Sequence, residues 1–445
     1  LKSELWSLEN FNTCSLNSGN IDNDPEDELL IGDCQWGTIK AYNSTKVAPT
    51  LSWSTSMIEH SSISLTIGDV DNDGLNEVMW GSGITSSGED VFAVADIVGD
   101  TITTWHNSDP SQLDTFTAAG IANITPEEQK AIFIVPKSDS GYNGQRLVTM
   151  DFDGEFDISP QISRNWEGGM YGEVVDYDND GFDEIFLSTA ELYDGGFDVL
   201  QLNDFSVEWT TGEGEYDDNI SVIDAVDLNN DGYADSLYVN GNSVVATDIY
   251  NEVLLWNSPS FNQNILDIAA ANLDGAGLPE IVIATNTEIS IWRKDVDLGT
   301  YVRNSSFNLG CSRISISNID ESHEYEIVCL NPANYNDSTS TLTVFDNMLE
   351  VKSTFNTPGK ITEFIIESTD NTVKNILIAV SKGTSSWDSL SESRVQMISS
   401  QSGNLIWSSL PLLGDVQSHS LYYFTDQTNK QRLTFATTDA MYITQ

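Results

Sequence analysis

Apolar residues recur along this chain in short runs of two kinds. In one, apolar and polar side chains alternate, as at Ile63, Leu65 and Ile67 of "SISLTIG", a period of two that sets one face of a strand against a core. In the other the run is continuous, as in "EVMWG" from Glu77, "EIFLS" from Glu184, "EIVIA" from Glu280 and "EIVCL" from Glu326. Such runs are expected of strands buried on both faces. The two kinds come in sequence, and two further strands follow each pair, joined by turns such as "QSGN" at 401–404. The fourth strand usually ends in tryptophan: Trp6, Trp53, Trp105, Trp166, Trp209, Trp256 and Trp407, with Phe355 standing in once and a less regular strand near Tyr301 and Val302. No stretch sustains a helical period, so the pattern predicts an all-β protein.

Between the first and second strand of each unit lies a nine-residue window. Six are rich in acids or amides: "NIDNDPEDE" (20–28), "DVDNDGLNE" (69–77), "DYDNDGFDE" (176–184), "DLNNDGYAD" (227–235), "NLDGAGLPE" (272–280) and "NIDESHEYE" (318–326). Three more keep the place and the following strand but not the acids: "NITPEEQKA" (123–131), "ESTDNTVKN" (367–375) and "FTDQTNKQR" (424–432). Successive windows start 45 to 57 residues apart, the length of a four-stranded propeller blade. The start, "LKSELWSL", resembles only a fourth strand, and the segment from Ser420 to Thr444 holds only the first three. Pairing them would complete the last blade and leave no open sheet edge. The expectation is a single β-propeller domain over 1–445, with nine repeats counted and eight blades as the rival count.

Composition sharpens this picture. Against 69 Asp and Glu stand 18 Lys and Arg, a formal charge of −51. That self-repulsion opposes compaction unless cations screen it. A low-hydrophobicity chain of this charge would stay disordered, but 39% apolar residues with 11 Trp, 15 Tyr and 17 Phe supply a core. Nucleic acid and anionic membranes reward clustered Lys and Arg, which are lacking here. No apolar run approaches the roughly 20 residues of a membrane helix, so direct membrane insertion is not expected. A chain beginning at Leu1 rather than Met suggests a processed protein or an excised domain.

The acidic windows explain what the charge is for. In D-x-D-x-D-G-x-x-E, positions 1, 3, 5 and 9 are carboxylates and position 6 is Gly, which accepts the positive φ of a sharp turn. Four carboxylates held together repel, and Ca²⁺ relieves that by taking six to eight oxygens at about 2.3–2.6 Å, with a backbone carbonyl at position 7 and water completing the shell. The expected ligand sets are Asp69, Asp71, Asp73 and Glu77; Asp176, Asp178, Asp180 and Glu184; Asp227, Asn229, Asp231 and Asp235; then Asn20, Asp22, Asp24 and Glu28, with Pro25 in the glycine place; and Asn318, Asp320, Ser322 and Glu326, with His323 there. Three to five calcium sites follow. The set Asn272, Asp274 and Glu280 loses a ligand at Ala276. An EF-hand needs an acid at position 12 and flanking helices, whereas position 12 here is Trp80, Leu187 or Tyr238. Solvated Asn-Asp-Gly hairpins explain the turns but not the acid at position 9.

"GDVDNDGLNEVMWG" and "VDYDNDGFDEIFLS" resemble the second half of the calcium repeat of integrin α-subunit propellers and of the FG-GAP and VCBS repeat proteins. The Phe-Gly and Gly-Ala-Pro elements of those repeats are missing. The resemblance implies an extracellular recognition or adhesion module.

Cys14 and Cys34 each stand six residues outside the first window, which brings them together across one hairpin; Cys311 and Cys329 flank the seventh. Two disulfides are expected, each worth roughly 3 kcal/mol in the chain-entropy account, with buried free thiols as the alternative for the second pair. Disulfides and calcium place the protein outside the cytoplasm, and the expected localisation is extracellular or cell-surface. Partners are expected on the propeller face opposite the calcium loops: a glycan or protein of the cell surface or matrix, with Tyr193 and Trp387 in long loops as stacking candidates. The other readings are a polysaccharide lyase or glycosidase, a quinone-dependent dehydrogenase suggested by "SSQSGNLIWSS", and a structural stalk or filament subunit. No catalytic set stands out, since His60, His106, His323 and His419 are scattered outside any GxSxG or HExxH context.

Overall fold

The second strand of each repeat shows why its apolar run is unbroken. In a computed structural model of the chain, Leu29 and Ile31 of the strand Glu28–Asp33 pack with Ala436, Met441 and Ile443, while Leu30 between them packs with Val78 and Trp80 of the next repeat. Successive side chains on a strand point to opposite faces. A strand sandwiched between two neighbouring sheets therefore needs an apolar residue at every position. The same division recurs in Glu77–Gly83, where Val78 and Trp80 face the first repeat and Met79 faces Phe133 of the third. In Glu326–Asn331, Ile327 and Cys329 face one neighbour and Val328 and Leu330 the other.

The structure describes residues 4–9, 12–34, 37–43, 50–55, 61–83, 90–106, 115–126, 128–135, 146–162, 170–189, 196–211, 220–320, 324–332, 339–366, 374–381, 393–412, 416–425, 431–437 and 440–444. Among them there is no helix and there are nine four-stranded sheets. Every adjacent strand pair with a recorded register is antiparallel, as in Glu28 against Asn43 and Ala41 against Trp53. The fold is an all-β propeller of four-stranded antiparallel blades, and each of the nine windows joins the first strand of a sheet to the second.

The chain divides into two compact units. The first comprises Leu1–Asp176, Asp180–Asp217 and Gln417–Gln445 and holds five sheets. One of these is built from both ends of the chain: the strand Glu4–Glu9 pairs antiparallel with Ala440–Thr444, Ser7 opposite Tyr442. The N-terminal segment thus supplies the fourth strand of the last blade, as its pattern predicts. The second unit comprises Tyr177–Asn179 and Asp218–Val416 and holds four sheets. Its blades pack through Trp256 on Trp292, Val282 with Ile327, and Val328 with Ile376.

The fourth-strand tryptophans described are largely interior: Trp53, Trp256 and Trp407 are buried, and Trp209 lies 5.5 Å from Phe197. The third blade departs from that pattern. Its fourth strand is the short Phe156–Ile158, reached through a turn in which Asp151 Oδ1 accepts the Glu155 N–H, and Trp166 lies outside the described residues. The less regular strand near Tyr301 is Thr300–Phe307. Both expected disulfides form, Cys14–Cys34 and Cys311–Cys329, with Cα separations of 4.6 and 5.6 Å.

Candidate metal centres

Five of the six acidic windows are tied to their blades by one repeated contact. The side chain at position 2 is buried and apolar: Ile21, Val70, Leu228, Leu273 and Ile319. Its backbone N–H donates to one oxygen of the position-9 acid: Ile21 to Glu28 Oε2 (3.2 Å), Val70 to Glu77 Oε2 (2.7 Å), Leu228 to Asp235 Oδ2 (2.7 Å), Leu273 to Glu280 Oε2 (2.8 Å) and Ile319 to Glu326 Oε2 (2.7 Å). In these five the acid enters the second strand and is buried with it, its other oxygen turned to the loop, whereas in the fourth window Glu184 Oε1 accepts from Gln201 Nε2 at 2.7 Å.

Position 1 organises the tip. Asp69 Oδ1 accepts the Asp73 N–H and its Oδ2 the Gly74 N–H, at 3.1 and 3.0 Å. Asp176 treats Asp180 and Gly181 alike, and Asp227 treats Asp231 and Gly232 alike. Gly74, Gly181 and Gly232 adopt φ of 91°, 91° and 95°, as position 6 predicts. The asparagine at position 4 is left-handed as well: Asn72, Asn179 and Asn230 have φ of 60°, 60° and 59°. Asparagine tolerates that region better than most residues, which gives the Asn-Asp-Gly wording of these loops its physical sense. The first window, with Pro25 at position 6, turns without a positive φ: Asn20 Nδ2 donates to Asp24 O (2.6 Å) and Asp22 Oδ1 accepts the Asp24 N–H (2.7 Å).

This framework gathers three sets of carboxylates whose oxygens lie within 4.8 Å of one another: Asp22, Asp24 and Glu28; Asp69, Asp71 and Glu77; Asp176, Asp178 and Glu184. Position 9 is buried in all three. In the fifth window Asp235 is fully buried, and Asn229 is turned by donating Nδ2 to Asp248 Oδ2 at 3.1 Å while its Oδ1 accepts the Asp231 N–H at 2.8 Å. The two remaining windows differ. Arg293 Nη1 lies 3.3 Å from Asp274 Oδ2 and its Nε 3.3 Å from Glu280 Oε1. Lys352 Nζ pairs with Asp320 Oδ2 and, at 2.7 Å, with Glu326 Oε1. Asn318 is among the described residues, whereas Ser322 and His323 lie outside them, as do Tyr193 and Trp387.

A hard cation fits the open sets. Their donors are oxygens throughout, the ligands Ca²⁺ prefers. Glu28 Oε1 and Asp235 Oδ1 are buried without a hydrogen-bond partner, a cost normally avoided unless another ligand supplies the missing contact. Burial pushes the Glu28 carboxyl from the usual 4.5 to about 8, against the Ile21 N–H and with help from the charges of Asp22, Asp24 and Asp27. Burial likewise raises Glu77 to about 7, opposed by the Val70 N–H and reinforced by Asp71, Asp69 and Asp73. Asp235 rises to about 7 through burial, opposed by the Leu228 N–H and reinforced first by Asp248. Asp248, and Asp96, whose charge helps raise Asp71, are acids that window spacing does not find. Both end the third strand of their blade.

These shifts set the sign of a pH response. A carboxyl whose folded pKa exceeds its unfolded value stabilises the fold when protonated, and that contribution is lost as pH rises through the folded value. In a chelator, the melting temperature should therefore fall between about pH 5 and 8, by on the order of 5 °C. Glu28→Gln should flatten part of that slope, and saturating calcium should remove most of it. Scanning calorimetry across the pH range reads all three; a metal-free melting temperature that rises with pH contradicts the account.

Fold and site together define a β-propeller carrying acidic hairpin loops that could hold cations. No known protein-family profile matches the chain, and no curated protein matches it. Among solved structures it is similar to Sqt1 of Saccharomyces cerevisiae at 12% identity, covering 92% of this chain and 100% of that one with a TM-score of 0.53. It is similar to the C-terminal WD40 domain of Sif2 at 10% identity, covering 100% and 98% with a TM-score of 0.51. It is also similar to the exotype rhamnogalacturonan lyase YesX at 14% identity, covering 100% of this chain and 75% of that one with a TM-score of 0.50. At such identities the likeness speaks for the propeller fold alone.

Proposed function

We propose that this protein is a calcium-stabilised extracellular recognition module that binds a glycan or protein partner through the propeller face opposite its acidic loops. The observation that carries the calcium part is the pair of buried, unpartnered oxygens, Glu28 Oε1 and Asp235 Oδ1, each in a loop of further oxygen donors. The loops support a scaffolding role because they are stitched to one another. Asn76 Nδ2 donates to Asn20 O at 2.6 Å, Asn179 Nδ2 to Gly232 O at 2.6 Å, and Asn230 Nδ2 to Gly277 O at 3.3 Å. A cation that stiffens one hairpin thereby stiffens its neighbour. The recognition part rests on the resemblance to FG-GAP and VCBS repeats. The disulfides support an oxidising, extracellular setting.

The test is calorimetric titration of the metal-free protein with calcium, followed by glycan and matrix-protein arrays probed in calcium and in chelator. Saturable uptake is expected, with Glu77→Gln losing one equivalent, together with calcium-dependent retention on one ligand class. Absence of uptake at millimolar calcium sinks the calcium reading. Uptake without retention of any ligand favours the structural role of a stalk or filament subunit.

A further inference from the structure

The sixth and seventh loops keep the same backbone attachment as the first, second and fifth, yet in both the position-3 and position-9 carboxylates face a side-chain cation. In both, the position-9 acid accepts the position-2 N–H through Oε2. Its Oε1, the counterpart of the unpartnered Glu28 Oε1, faces a side-chain cation instead. The same cation reaches the position-3 carboxylate, Asp274 or Asp320. Positions 3 and 9 are the two that recur in every gathered acidic set.

We propose that Arg293 and Lys352 are resident cations, standing where calcium stands in the other loops and making the sixth and seventh hairpins independent of metal. This rests on the calcium reading for the open loops. The strand origins of the two residues support it. Arg293 follows Trp292, the register partner of Ile281, on the third strand Ile289–Asp295. It thus comes beside Glu280, much as Asn43 is the register partner of Glu28 in the first blade. Lys352 reaches its loop from the fourth strand Val351–Pro358. Two different strands therefore deliver a positive charge to the same point of two different blades. The loops concerned are also the ones without an acid at position 5, where Ala276 and Ser322 stand. A guanidinium or ammonium carries one charge, so it balances a poorer carboxylate set than a divalent ion requires. Acid loss in the loop and gain of a base on a neighbouring strand form one arrangement.

The prediction is a gain of calcium binding. Arg293→Asn combined with Ala276→Asp rebuilds the sixth loop on the pattern of the open ones, and Lys352→Asn opens the seventh. Each variant of the full chain should take up one more calcium equivalent than wild type in equilibrium dialysis. Each should also melt below wild type in chelator and recover in calcium. Unchanged stoichiometry in both variants, with circular dichroism matching wild type in calcium, overturns the proposal. Crystals of wild type grown with calcium give a second measurement: an anomalous peak within 272–280 or 318–326 overturns it even if the variants fail to fold. A wild type that takes up no calcium anywhere sinks the reading of the open loops, whereas the gain in the variants still decides the role of Arg293 and Lys352.

Discussion

Stripping calcium with a chelator should lower the melting temperature by on the order of 10 °C at neutral pH, the largest effect expected of any change in conditions on the proposed calcium reading. The estimate is mass action. A ligand that binds only the folded state at one hundred times its dissociation constant contributes about 2.7 kcal/mol per site. Three gathered acidic sets then contribute about 8 kcal/mol, comparable to the whole stability of many domains. The direction follows from the residues. Without a cation, the Glu77 carboxylate is buried beside Asp69, Asp71 and Asp73, and either the proton or the repulsion must be accommodated. Magnesium should substitute poorly, because it demands near-octahedral geometry and releases its water reluctantly. Thermal melts in chelator, calcium and magnesium check this; equal melting in all three contradicts it.

The second large effect is in the core. Trp80→Ala should destabilise the fold by about 3–5 kcal/mol, the range for deleting a large buried aromatic side chain. Trp80 is fully buried between the first and second blades, 6.5 Å from Trp53 in an edge-on arrangement and packed among Leu30, Val78 and Ala93. Its loss opens a cavity three residues beyond Glu77, so calcium uptake by the second loop should weaken in the same variant. Trp80→Phe should cost much less. The indole Nε1 is buried without a hydrogen-bond partner, and phenylalanine keeps most of the apolar surface while removing that donor. Urea denaturation of the two variants in calcium gives the comparison; equal losses would contradict this account and show that phenylalanine does not replace the packing of the full indole.

The same residue illustrates what was legible beforehand. Position 12 of the loop is Trp80, a residue that cannot ligate calcium, and this alone separates the window from an EF-hand. Alternation before the window and a continuous run after it specify a strand exposed to the loop side and a strand sandwiched between sheets. Both features are local, repeated and read with a period of two. The Cys14–Cys34 pair was equally legible from its symmetric place about one hairpin, whereas for Cys311 and Cys329 the spacing left free thiols open and the structure decided for the bond.

Less legible were features whose role appears only with the geometry. The left-handed asparagines Asn72, Asn179 and Asn230 are visible in the Asn-Asp-Gly wording once the tip geometry is known. The buried position-2 residues form a column of Ile, Val, Tyr, Leu, Leu and Ile that alignment of the windows contains. Asp96 and Asp248, by contrast, come from the ends of third strands, at distances in sequence that vary with loop length.

By itself the sequence determined the strand pattern, the places of the nine hairpins, the oxygen-rich sets within them and the Cys14–Cys34 pairing, because all are set by short-range spacing along one hairpin. Only the tertiary structure decided which position-9 carboxyls keep an unpartnered oxygen, as Glu28 and Asp235 do, and which face Arg293 or Lys352 instead. That outcome depends on strand register: a neighbouring strand brings its charge to the loop through backbone pairing, and no spacing rule within the loop records which side chain arrives there.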